Sequence, residues 1–385
     1  MTERREGFWD RALTQLSGAW QEIADATLVR VAGGVRPNLP DDDRDRLRSR
    51  VAECIQARGG EALARARAAH LGHTYLDLDT EGRRRFLAML ATEFDIDVEE
   101  VAREAKAFLG ASDSEARRAL ATSLRDATES PRMSLFTQFN GLPDGLKFLV
   151  DMRADALAGR REEPVLVRVA DDLRRLLSAW FDVGFLELRS LSWDSPASLL
   201  EKLIAYEAVH QITSWDDLKN RLETDRRLFA FFHPNMPDEP LIFVEVALVE
   251  SMADSVQRLL DPDAPLVPAR VADAAIFYSI SNTQAGLAGV SLGDFLIKRV
   301  VDELSRELPG LKTFATLSPL PGFTRWLDRY LSQEESLSLA PAGLKPEEAR
   351  SGLREALKNA QPDALKPWRQ QLVALAARYL MDEKR

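Results

Sequence analysis

The sequence predicts an α+β protein in which an all-helical bundle over residues 1–180 is followed by a mixed α/β domain over 181–385. Two observations carry this. From Phe8 to about Trp180 apolar residues recur at three and four positions, as in Leu47, Val51 and Cys54, or Phe86, Leu87, Leu90 and Phe94, which is helical spacing. After Trp180 short runs rich in Val, Ile and Phe appear instead: LFAFF at 228–232, LIFVEVAL at 241–248 and AAIFYSI at 274–280. Those runs predict strands.

The bundle is expected to break at 33–40, at 59–60, near Ser130 and Pro131, and at 141–145, where Gly, Pro and Ser interrupt the period. Its many arginines fall between apolar positions and predict a solvated face. In the second half, 195–206 and 292–308 read as helices between strands. From about 346 to 385 the helical period returns, with Trp368, Leu372, Ala376 and Leu380 on one stripe.

The composition is that of a globular protein, with 45% hydrophobic and 29% charged residues. Lys plus Arg total 51 against 61 Asp plus Glu, a net charge of −10, so a phosphate backbone is repelled and nucleic acid is not an expected partner. One cysteine, Cys54, excludes an internal disulfide and suits a reducing compartment, so a cytoplasmic location is expected. His70 and His73 are read as two ordinary helix-face histidines, and no metal is expected. The N-terminus is charged from its third residue, and nowhere do about 18 apolar residues run together, so neither a secretory signal nor a membrane span is expected.

The densest information lies at 274–304, which reads strand, glycine-bearing loop, helix. Leu292, Leu296, Val300, Leu304 and Leu308 form one row, with Lys298 and Asp302, and Arg299 and Glu303, as opposite-charge pairs on the solvent side. The helix is expected to start near Ser291. Gly286, Gly289 and Gly293 let backbone approach a ligand, and N–H groups at a helix start attract anions. The glycines match neither G-x-G-x-x-G nor the P-loop.

AGVSLGDFL in this loop resembles the pyrophosphate loop of the GNAT acetyltransferase superfold, with a serine where the common pattern has its middle glycine. Three longer blocks are similar to the malonyl-CoA decarboxylase family: FFHPNMPDEPLIFVEVAL at 231–248, AIFYSISNTQAGLAGVSLGDFLIKRVV at 275–301 and LKTFATLSPLPGFTRWL at 311–327. The resemblance implies a helical N-terminal domain, serving oligomerisation, before a GNAT acetyltransferase-like catalytic domain. It also implies conversion of malonyl-CoA to acetyl-CoA and CO2, and a homo-oligomer, with a tetramer suspected.

By this resemblance Ala288, Gly289, Val290, Ser291, Leu292, Gly293 and Asp294 contact the CoA diphosphate. Ser318, in the LSP motif, is the serine of a catalytic Ser–His pair. Its place agrees, because Pro319 and Pro321 forbid further sheet bonding after the strand expected at 313–317. The family's histidine lies in a C-terminal stretch of the type FHLxNGA, and the sequence ends at Arg385 without one. The chain is therefore expected to bind CoA with the pair incomplete, with His233 as a candidate substrate contact. Because the thioester itself accepts the electron pair released with CO2, no cofactor is expected. The alternatives are a CoA-dependent acyltransferase and a catalytically incomplete malonyl-CoA or acetyl-CoA binder.

Overall fold

The structure, a computed structural model, describes residues 17–24, 34–56, 60–290, 292, 295–332, 346–359 and 362–383. It divides into two compact units, Met1–Leu317 and Ser318–Arg385.

After helical residues at 17–24, the first unit continues with α1 (Asp41–Ile55), α2 (Glu61–Leu76), α3 (Thr80–Glu93), α4 (Val98–Gly110), α5 (Ser114–Ala127), α6 (Arg132–Asn140), α7 (Gly145–Gly159) and α8 (Leu166–Trp180). Three starts that no glycine or proline marks are set by aspartate caps. Asp79 accepts from the Gly82 amide, Asp97 from those of Glu99 and Glu100, and Asp113 from that of Ala116. The helical core is aromatic, with Trp20, Tyr75 and Phe139 around Phe148 at ring separations of 4.6, 5.5 and 5.0 Å. Helices α4 and α5 stand apart from it, since neither contains a buried residue.

The expected change of pattern after Trp180 is present as a five-stranded mixed sheet. Strands β1 (Glu187–Leu191), β2 (Arg226–Phe232), β3 (Ile242–Val249) and β4 (Ala274–Asn282) are antiparallel neighbours in that order, and β5 (Thr313–Thr316) lies parallel to β4. Strand β1, which the sequence pattern did not suggest, is an edge strand of mostly exposed or half-buried residues. One sheet face is covered by α9 (Ala197–Tyr206) and α10 (Trp215–Asn220), through Leu200, Leu203 and Leu218. The other packs on α11 (Phe295–Glu307) and on Leu146, Val150 and Leu177 of the helical region.

Leu292, Leu296, Val300 and Leu304 are buried in this second layer, as their spacing predicts. Of the expected start of α11, Ser291, Gly293 and Asp294 lie outside the described residues. The Arg299–Glu303 pair does not form. Arg299 turns inward, donating to the Leu186 carbonyl at 2.7 Å and lying over the Phe231 ring, while Glu303 pairs with Arg306 at 2.5 Å.

The second unit contains α12 (Phe323–Ser332), α13 (Pro346–Asn359) and α14 (Arg369–Glu383) around Trp326, Tyr330, Leu353, Leu375 and Tyr379. The buried stripe of α14 is therefore Leu375 and Tyr379, one position off the expected row, and Leu380 is exposed. Among the described residues no helix is long and apolar enough to cross a membrane.

Candidate functional site

Strand β4 loses its parallel neighbour halfway. Pairing with β5 runs from Ala274 opposite Thr313 to Phe277 opposite Thr316, and closes with the Leu317 amide donating to the Phe277 carbonyl at 2.8 Å. At this level β4 carries a bulge. Val246 faces Phe277 and Glu245 faces Ser279, so Tyr278 is the additional residue and bends the strand as β5 leaves it. Between Tyr278 and Asn282 no strand among the described residues pairs with this edge of β4.

The loop after β4 is anchored at its root. The Thr283 amide donates to the Leu241 carbonyl at 3.1 Å, and the buried Gln284 Nε2 to that of Pro240, also at 3.1 Å. A single 3-10 turn follows over Ala285–Leu287. Its Gly286 lies against α7, where an added Cβ would stand 1.8 Å from the Val150 carbonyl oxygen. Arg153 of α7, itself buried, donates Nη1 to the Gly286 carbonyl and Nε to that of Ala170 at 2.9 Å. The glycine read as an opening for ligand is thus a packing glycine. Gly289 is the open one, with φ +74° and nothing within 4 Å of a built Cβ. The amides of Ala288 and Val290 bond back to Ala285 and Leu287, at 3.2 and 2.9 Å. The Gly289 amide makes no backbone hydrogen bond to the described residues.

On the opposite face a polar cluster lies under α9 and α10. Ser279 Oγ and Ser281 Oγ donate to the Glu207 carboxylate at 2.9 and 3.0 Å, and the Val209 and His210 amides donate to its Oε1 at 2.8 and 2.6 Å. Beside it Glu245, fully buried, accepts from Arg221 Nη1 at 3.0 Å. Burial pushes the Glu245 carboxyl up to about 7 against the pull of Arg221, and the nearby charge of Glu207 adds to the rise. Burial likewise holds the Tyr278 phenol well above its ordinary range.

The sequence-predicted residues are distributed as follows. Ala288, Gly289, Val290 and Leu292 are in the loop, with Val290 and Leu292 buried in the core. Ser318 is exposed, directly after Leu317, and is the first residue of the second unit. His233 is taken up by the fold. Its Nδ1 accepts from the Asn235 amide at 3.1 Å, which leaves Nε2 to donate to the Trp180 carbonyl at 3.2 Å, and burial depresses its pKa. Both ring nitrogens are engaged, so His233 acts as a strand-end staple. His73 pairs with Asp77 at 3.1 Å, and His70 Nε2 lies 3.3 Å from Arg50 Nη1. Sequence reasoning missed Arg153 and Glu207. Gly286 and Ser279, which they hold, lie 133 and 72 positions away, and no local pattern signals such contacts.

A family model described as the malonyl-CoA decarboxylase C-terminal domain matches residues 184–385, and one described as the malonyl-CoA decarboxylase N-terminal domain matches 94–181. The mitochondrial malonyl-CoA decarboxylase of Anser anser anser is 36% identical over 314 residues, covering 79% of this chain and 62% of the relative. That of Mus musculus is 40% identical over 259 residues, covering 64% and 52%. The chain thus spans between half and two thirds of the length of these relatives. Crystal structures of malonyl-CoA decarboxylase are similar over most of the chain. The one from Rhodopseudomonas palustris has 42% identity and a TM-score of 0.76, over 86% of this chain and 79% of that one. The one from Agrobacterium vitis has 38% identity and the same TM-score, over 87% and 80%. With family-model matches running through both halves, the chain belongs to the malonyl-CoA decarboxylase family.

Proposed function

We propose that the protein decarboxylates malonyl-CoA to acetyl-CoA and CO2. The observation that carries this is the family match across 184–385, a span that includes the open edge of β4 and the loop that follows. The thioester arm enters along the open edge of β4. The Gly289 amide and the start of α11 receive the CoA diphosphate, which lets an acidic protein bind a polyanion locally. The bond from the malonyl carboxylate to the α-carbon breaks, its electron pair passes into the thioester as an enolate, and a proton is then delivered to that carbon. Ser318 orients the departing carboxylate or relays the proton.

In the same proposal residues 1–180 serve oligomerisation and 181–385 carry catalysis, in a cytoplasmic homo-oligomer. The α4–α5 hairpin supports the first part, because both helices are amphipathic and Val98 and Leu109 are exposed. Release of labelled CO2 from malonyl-CoA, with acetyl-CoA formed in equal amount, tests the reaction on the product of the whole reading frame. Acetyl transfer to an amine without CO2 release would make it an acyltransferase, and binding without either would make it a carrier.

A further inference from the structure

We propose that Glu207 is a positioning residue for this reaction: its carboxylate restrains the half of β4 that β5 does not reach and holds it in register. The inference rests on the function proposed above and concerns the same site.

Four observations carry it. The hydroxyls bound by Glu207 belong to Ser279 and Ser281, both in the stretch of β4 beyond Phe277, the last residue paired with β5. The clamp therefore begins where the parallel ladder ends. Its other side is a fixed wall, since Oε1 also accepts the Val209 and His210 amides just past the end of α9, and the Ala208 amide donates to Ser281 Oγ at 3.3 Å. Both carboxylate oxygens are used, Ser279 reaching each of them at 2.9 Å. Finally, the residue is only 5% exposed, and the neighbouring cation, Arg221, is committed to Glu245 and Asp217 at 3.0 and 2.9 Å.

A carboxylate buried at this cost and satisfied by hydrogen bonds alone is an unusual way to close a loop. A strand edge with no neighbour frays readily, because only one row of ladder bonds restrains it. Here the restraint acts from the face opposite α11, so the open edge stays free for substrate while its backbone groups keep their spacing. A shift of about an ångström in those groups misaligns the thioester and slows turnover, with little effect on the diphosphate held at Gly289.

The test compares Glu207→Gln, Ser279→Ala and Ser281→Ala with the native protein by amide hydrogen exchange and by steady-state kinetics. Glu207→Gln is expected to speed exchange at 279–282 by about tenfold or more while 274–277 keep their protection. It is expected to lower kcat by about tenfold or more with the CoA dissociation constant changed less than about threefold. The serine variants remove one donor each and should show smaller effects in the same direction, which keeps the test open if Glu207→Gln does not fold. Unchanged exchange at 279–282 in all folded variants overturns the clamp. Faster exchange with unchanged kcat makes Glu207 structural only. If the native protein releases no CO2, the proposed function fails, whereas the exchange result still decides whether the clamp exists.

Discussion

Gly286 rests against the carbonyl oxygen of Val150, so close that any side chain there would have to displace backbone. Together with the Arg153 bond to the Gly286 carbonyl, this contact ties the loop after β4 to α7 of the helical region. The two described glycines of the loop should therefore respond differently. Gly286→Ala must move the 3-10 turn or α7, at a cost of about 1–3 kcal/mol or more by overpacking. Gly289→Ala meets open space and pays only for its positive φ, about 1 kcal/mol. Urea unfolding of the two variants checks the order. A bulky residue at Gly289 should instead weaken CoA binding in calorimetry, and an unchanged dissociation constant would remove the loop from the site.

The α4–α5 hairpin offers a test of assembly. Val98 and Leu109 of α4 are 67% and 75% exposed although the helix is strongly amphipathic, so this part of its apolar face is left uncovered by the described residues. Leu109→Glu should lower the oligomeric mass measured by light scattering while the unfolding midpoint of the subunit changes little. An oligomer of unchanged mass would move the interface elsewhere.

Much of the architecture was legible because it is periodic. Leu292, Leu296, Val300 and Leu304 announce α11, and the apolar runs of β2, β3 and β4 announce the central sheet, since all three strands are buried on both faces. Strand β1 escaped because ELRSL mixes charge with apolar residues, as an edge strand does. The breaks at Asp79, Asp97 and Asp113 escaped because they are made by side-chain caps and not by glycine or proline. Arg299 was misread for a related reason: helical spacing brings it near Glu303, but it cannot reveal that the Leu186 carbonyl waits on the other side. Around the loop, the Arg153 bond to Gly286 and the Glu207 bonds to Ser279 and Ser281 were not legible, because they join residues distant in sequence.

Glu245 predicts a pH dependence of stability. Its folded pKa of about 7 lies above the ordinary 4.5, so the folded protein holds a proton there that the unfolded chain has lost. The contribution is fully present below pH 4.5 and is lost as pH rises through about 7, leaving a buried carboxylate between Arg221, the charge of Glu207 and the Tyr278 phenol. Glu245→Gln keeps a neutral group of the same shape, and Arg221 retains Asp217 at 2.9 Å. Between pH 5 and 7.5 the native protein should lose about 1–3 kcal/mol more stability than the variant. Urea unfolding across this range checks it, and parallel curves would mean that Glu245 is charged throughout.

Ser318→Ala is expected to lower turnover far more than malonyl-CoA affinity. Ser318 is exposed, follows the last residue bonded to β4, and precedes Pro319, which cannot donate to a sheet. The hydroxyl therefore has no ladder to support, and its removal should cost the fold little. Where it acts on the departing carboxylate or on the proton that replaces it, it meets charge that develops in the transition state and hardly at all the CoA body bound in the ground state. The loss should then fall on kcat, by about two to four orders of magnitude for a positioned proton-transfer group, with the malonyl-CoA dissociation constant nearly constant. Steady-state kinetics on the product of the whole reading frame, with calorimetric binding of malonyl-CoA beside it, separate the two. Weakened binding with turnover intact at saturating substrate would make Ser318 a residue that seats the substrate, and the catalytic assignment would pass to another group.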